Sequence, residues 1–200
     1  MNPPTPYIDH SSNTSSIQCF RGTKSLDYRS WFLLRTDPLV DHAGDTPVFT
    51  EALPGIDCGR GTNLAFRVLG APWLRAEAFC ERLAQTPLPG MTLHPYRYVA
   101  GAGAYAGREL DGVRLTVTDP ARVRPAEASL RVLRALGDMY GATRVWRHKG
   151  VRPAWFDSLY ATDHVRRSMQ NGAALPALFR QWRRDRQAFA RTRRACLLYA

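Results

Sequence analysis

Apolar and polar positions alternate with recognisable periods only from about residue 47 onward. Leu64–Leu69 is a short apolar run that predicts a strand, ended by Gly70-Ala71-Pro72. Leu74, Ala78, Phe79 and Leu83 share one helical face and predict a helix over Leu74–Gln85. Thr92–Val99 reads as extended, with Pro95 assigning it to an edge or a bend. Val113, Leu115 and Val117 alternate with Arg114, Thr116 and Thr118, the pattern of a half-buried strand. Pro125 opens a helix through Tyr140, with Leu130, Leu133 and Leu136 on one face and Gly141 as its stop. Two more helices are expected, Phe156–Asn171 closed by Gly172, and Leu175–Arg194 with a stripe of Leu178, Phe179, Trp182 and Phe189. Cys196–Tyr199 is read as a last short strand. Strands and helices that do not strictly interleave predict an α+β fold, a small mixed sheet flanked by several helices.

Residues 1–46 differ from this. They hold one alanine, Ala43, and their apolar residues follow no period. An irregular N-terminal arm or reading-frame remnant is expected there, followed by a domain over residues 47–200. A chain of 200 residues with 44% hydrophobic and 22% charged residues is long enough to bury a core. No stretch approaches the roughly 18 consecutive apolar residues of a membrane span. The first residues, Met1-Asn2-Pro3-Pro4, carry no secretory signal, so the chain as written is expected in the cytoplasm, or outside it if its N-terminus lies further upstream.

Charge narrows the partners. Twenty-eight basic residues against 17 acidic ones give a net charge of +11, and all the bases but Lys24 and Lys149 are arginines. Such a chain should adhere to polyanions. Seven arginines between Arg180 and Arg194 face a single acid, Asp185, along the polar side of the last helix. A solvated face is the ordinary reading; a helix that binds nucleic acid or another polyanion is the sharper one. Cys19, Cys58, Cys80 and Cys196 lack metal-ligand spacing, so neither a metal nor a cofactor is expected, and the four read as reduced thiols.

The sharpest local feature is Gly59-Arg60-Gly61-Thr62-Asn63. Glycines on either side of an arginine allow a tight turn and a close approach to a ligand, while the guanidinium offers a fork for an anion. Thr62 and Asn63 add groups of the kind that read hydroxyls. The P-loop lysine is absent, and the segment leads into a strand rather than opening a helix, which excludes phosphate-loop and dinucleotide fingerprints. Of the acids, Glu51 alone lies beside this turn. Asp119 precedes Pro120 and should make a turn, while Glu109 and Asp111 are placed in a solvated loop. For Trp73, Trp155 and Trp182 core packing is expected, with sugar stacking as the sharper reading of Trp73.

From about Glu51 to Ala200 the chain resembles the C-terminal domain of the NamZ-type peptidoglycan exo-β-N-acetylmuramidases. The resemblance rests on Gly59-Arg60-Gly61-Thr62 and Gly70-Ala71-Pro72-Trp73 at matching spacing. Tyr105-Ala106-Gly107, Val117-Thr118-Asp119, Phe156-Asp157-Ser158-Leu159, Thr162-Asp163 and Leu197-Leu198-Tyr199 then follow in order. The family's Glu-Gly-Thr-Asn stretch stands here as Glu51-Ala52-Leu53-Pro54, so Glu51 is an approximate counterpart, and Leu110 replaces a cysteine. The resemblance implies a substrate-cleft domain that binds a muramyl saccharide, with Glu51 as candidate catalytic residue and Gly59, Arg60, Gly61, Thr62 and Asn63 as candidate substrate-binding residues. It also implies that the principal catalytic carboxylate comes from a Rossmann-like N-terminal domain. Residues 1–46 are too short to form one, so the chain is expected to be inactive alone and to need a catalytic domain in trans. A non-enzymatic module binding polyanions or wall sugars is the alternative.

Overall fold

A computed structural model describes residues 48–194. The arm at residues 1–46 and the strand expected at Cys196–Tyr199 lie outside the described residues. In chain order the elements are a 3-10 turn at Val48–Glu51, β1 (Val68–Gly70), α1 (Ala76–Ala84), β2 (Met91–Val99), a second 3-10 turn at Gly103–Tyr105 and β3 (Glu109–Val117). Helices α2 (Pro125–Tyr140), α3 (Ala142–Trp146), α4 (Pro153–Leu159), α5 (Asp163–Gln170) and α6 (Leu175–Arg193) follow. The fold is α+β.

The three strands lie in the order β1-β3-β2, and both pairings are antiparallel rather than mixed. β2 is an edge, and Pro95 sits on it at no cost to a second ladder. β3 is longer than its alternation suggested. Glu109 and Asp111, expected in a loop, belong to it, and Asp111 accepts a hydrogen bond from Arg97 across the register at 2.9 Å. A strand over Leu64–Leu69 is the larger correction: only Val68–Gly70 pairs, because Leu64 and Arg67 close a turn (Arg67 N–H to Leu64 C=O, 2.9 Å).

Successive strand residues point to opposite faces, and here the two faces do different work. Leu69, Met91, Val113 and Leu115 face the main core, where they meet α1 and the helical half. Val68, Tyr98 and Leu110 face the other way into a small separate cluster with Ala100. The main core is centred on α2, whose Leu130, Leu133 and Leu136 are at most 1% exposed. Burying one such side chain contributes roughly 1.5–3 kcal/mol. Pro125 in the first turn and Gly141 at φ 86° bound α2 where the sequence placed its ends.

The single helix expected over Phe156–Asn171 is two. Ala161 adopts φ 56°, and Thr162 then caps α5, its hydroxyl oxygen accepting the His164 N–H at 3.2 Å. An alanine carries no sequence signal for the left-handed conformation, so the break was not legible. Asp157 nevertheless ties the two helices, accepting from Arg166 Nε and Nη2 at 2.9 and 2.8 Å.

Candidate saccharide-binding loop

The Gly-Arg-Gly turn sits against the end of β1, on the smaller face of the sheet. Asp57 anchors it. Its backbone N–H donates to Gly70 C=O at 2.8 Å and its carbonyl accepts the Gly70 N–H at 3.0 Å. Its carboxylate Oδ1 accepts two further bonds, from the Gly59 N–H and from the Tyr98 hydroxyl, both at 2.7 Å. Gly70 has to be glycine for this: a Cβ there would stand 2.8 Å from the Tyr98 oxygen. Burial, then the hydrogen bond to Asp57, push the Tyr98 hydroxyl well above its ordinary range, so it stays a neutral donor.

The loop then turns through Gly59 (φ 72°) and Gly61 (φ 75°), conformations that favour glycine. Gly61 also lies against the backbone of Gly101, where an added Cβ would meet the Gly101 carbonyl at 2.9 Å. Thr62 works inward. Its hydroxyl donates to Gly59 C=O at 2.6 Å and accepts the Leu64 N–H at 3.0 Å, so it is committed to the loop rather than turned toward a ligand. Asn63 is exposed, and its carbonyl accepts from Arg67 Nη2 at 2.7 Å.

Arg60 stands at the tip, its side chain 46% exposed. The guanidinium forms an ion pair through Nη2 with Oε1 of Glu51, and it reaches the Cys58 thiol. Partial burial works against the charge on Arg60, but Glu51 and Cys58 together more than offset it, so the cation is held more firmly than an isolated arginine. Cys58 is buried, and that burial pushes its thiol up; it is a neutral donor or acceptor at physiological pH and a poor nucleophile. The structure therefore brings Glu51 and Arg60 into contact across nine positions of sequence, with Gly59, Gly61 and Thr62 shaping the loop between them.

Sequence reasoning missed four participants. Glu51 is not the only acid beside the turn: Asp57 holds it, and an acid two residues before a glycine is the spacing of a side-chain-capped turn. Tyr98 carried no signal. Arg152 closes the site from the position just before α4: its N–H donates to Ala52 C=O at 2.9 Å and its Nη2 donates to the Glu51 carbonyl. Trp155, expected in the core, is 45% exposed, with the Arg152 guanidinium 5.8 Å from its ring centroid. Trp73 packs on Tyr140 at 5.1 Å between ring centroids, as core packing requires. No group of three or more metal-ligating side chains occurs among the described residues.

The arrangement offers an exposed cation on a hydrogen-bonded, glycine-shaped turn, one carboxylate engaged with that cation and one consumed in holding the turn. Comparison with known proteins agrees with the residue pattern. Residues 47–199 match the family described as "Exo-beta-N-acetylmuramidase NamZ, C-terminal". The peptidoglycan beta-N-acetylmuramidase NamZ of Bacillus subtilis (strain 168) is 27% identical over 141 residues, covering 70% of this chain and 33% of that protein. The chain thus spans about a third of the curated relative it matches. Two crystal structures of DUF1343 family proteins from Bacteroides fragilis NCTC 9343 share the fold. One has a TM-score of 0.71 at 20% identity, covering 78% of this chain and 41% of that one. The other has a TM-score of 0.53 at 22% identity, covering 79% and 40%. The chain belongs to the family of NamZ exo-β-N-acetylmuramidase C-terminal domains.

Proposed function

We propose that the described domain binds the terminal N-acetylmuramic acid of peptidoglycan fragments, with Arg60 reading the carboxylate of the lactyl ether. The observation that carries this is Arg60 itself, half exposed at the tip of a turn whose flanking residues bear no side chains. N-acetylmuramic acid differs from N-acetylglucosamine by the lactyl group, and a cation is the cheapest way to select it. Glu51 and the Cys58 thiol engage part of the guanidinium, and its remaining N–H groups are left for a ligand. A charge-assisted hydrogen bond is worth about 1.5–3 kcal/mol, roughly 10- to 150-fold in affinity.

In this reading the domain is one wall of a substrate cleft and does not hydrolyse the glycosidic bond by itself. Glycoside hydrolysis ordinarily takes two carboxyl groups flanking the bond. Beside this loop one carboxylate is paired with Arg60, and the other is buried and accepts two hydrogen bonds. A second carboxyl group, from another chain or domain, would complete the pair. Titration of the chain with the two sugars should show N-acetylmuramic acid binding at least about tenfold more tightly than N-acetylglucosamine. Chromogenic muramides should not be turned over above a Glu51→Ala control. Equal affinity for both sugars would refute the lactyl reading, and clear turnover would refute the need for a second carboxyl group.

A second reading has one observation behind it. The seven arginines from Arg180 to Arg194 make no ion pair among the described residues, and beyond Trp182 the helix is mostly exposed. That face suits an anionic polymer, and it is compatible with sugar binding at the loop.

A further inference from the structure

We propose that Trp155, held by Arg152, is a stacking platform for a second sugar ring beside Arg60. The proposal rests on the muramyl reading of Arg60 and extends it to the neighbouring residue of the saccharide, a neutral N-acetylated hexosamine. Trp73, Trp146 and Trp182 pack against the main core, and Trp155 alone among the described tryptophans is exposed, at 45%. Leaving an indole exposed forgoes the burial that such a large ring normally provides.

The platform is built rather than incidental. Arg152 is fixed at two points, its N–H on Ala52 C=O and its Nη2 on the Glu51 carbonyl, and its guanidinium lies within cation–π range of the Trp155 ring. The ring is thereby tied to the backbone of the residue whose carboxylate holds Arg60. Glu51 and Arg152 link Arg60 to Trp155 through consecutive contacts, and the proposal is that a ligand longer than one ring engages both.

The surroundings favour a sugar over an apolar protein surface. The ring's neighbour is the exposed Arg152 guanidinium, itself bonded to the Glu51 carbonyl, so the platform has a charged, hydrogen-bonding rim. A hexosamine matches this: its C–H face lies on the indole, while its acetamido and hydroxyl oxygens accept from the guanidinium N–H groups.

The test compares N-acetylmuramic acid with the disaccharide N-acetylmuramyl-N-acetylglucosamine on the full chain, by calorimetry and tryptophan fluorescence. Trp155→Ala should weaken disaccharide binding about 3- to 10-fold and leave the monosaccharide unchanged. Trp155→Phe should keep most of the disaccharide affinity, and since the ring is only part-covered both variants should stay folded, with at most a small fall in Tm for Trp155→Ala. Disaccharide binding that is undetectable, or that Trp155→Ala leaves intact, would overturn the platform. The monosaccharide arm decides the Arg60 reading separately: Arg60→Ala should abolish selectivity for it whatever Trp155 does.

Discussion

At the residue scale, the decisive fact is how each carboxylate beside the loop is used. Asp57 is 8% exposed and satisfies two buried donors at once. Asp57→Ala strands the Gly59 N–H and the Tyr98 hydroxyl, and a lost buried partner costs about 1–3 kcal/mol. The variant should therefore lose about 2–4 kcal/mol by denaturant unfolding, while Asp57→Asn, which keeps the acceptor oxygen, should lose much less. Equal losses would show that the charge, not the two bonds, holds the loop. Glu51 has the other role: it aims Arg60 but competes electrostatically with an anionic ligand. Glu51→Gln preserves a hydrogen-bond acceptor and removes the like charge, so N-acetylmuramic acid should bind more tightly; weaker binding would contradict the assignment. Tyr98 also sets an alkaline limit. Burial and Asp57 hold its proton above the ordinary value near 10, and burial does the same for Tyr160. The folded state keeps these protons where the unfolded chain releases them. Their contribution is therefore whole below pH 10 and declines as pH rises past it, which Tm measured from about pH 8 to about pH 11 should show.

At the element scale, much of the fold was legible because its signals were local. Pro125 and Gly141 bracket α2, and Pro95 marks the edge strand, each for a steric reason that neighbours do not override. What was missed depends on partners distant in sequence. β1 is three residues long because the Leu64–Arg67 turn precedes it, and the α4–α5 break comes from Ala161 at φ 56°. An L-residue in that conformation costs about 1–2 kcal/mol, and glycine does not. Ala161→Gly should accordingly raise stability by about 0.5–1 kcal/mol once the extra freedom of glycine in the unfolded chain is subtracted. A loss of stability on thermal unfolding would mean the alanine methyl makes packing contacts that outweigh its strain. The candidate site divides the same way. Glu51 and the Gly59–Asn63 loop were legible from adjacency and resemblance, whereas Tyr98, Arg152 and Trp155 arrive from β2 and the start of α4 and carry no pattern of their own.

At the scale of the whole molecule, the family match begins at residue 47, where the composition changes, and the excess charge has a defined place. α6 buries Leu178 and Phe179 near its start, then runs on with arginines exposed along its later turns. If that face binds duplex DNA through phosphates, log affinity should fall by about 0.9 per log unit of salt for each phosphate neutralised. Replacing Arg183, Arg184, Arg191 and Arg194 by Gln should then abolish binding without changing Tm, since none of the four is buried. No binding at low salt would leave the face as a solvated surface and the sugar loop as the sole candidate site among the described residues.

The central claim is that Arg60 reads a carboxylate, and the most direct measurement is calorimetric titration of Arg60→Ala against two sugars. N-acetylmuramic acid should lose about 10- to 150-fold in affinity, N-acetylglucosamine should be nearly unchanged, and Arg60→Lys should recover only part of the loss because an ammonium lacks the planar fork. Equal losses for both sugars would contradict the claim, and would mean that Arg60, through its ion pair with Glu51, only holds the shape of the loop.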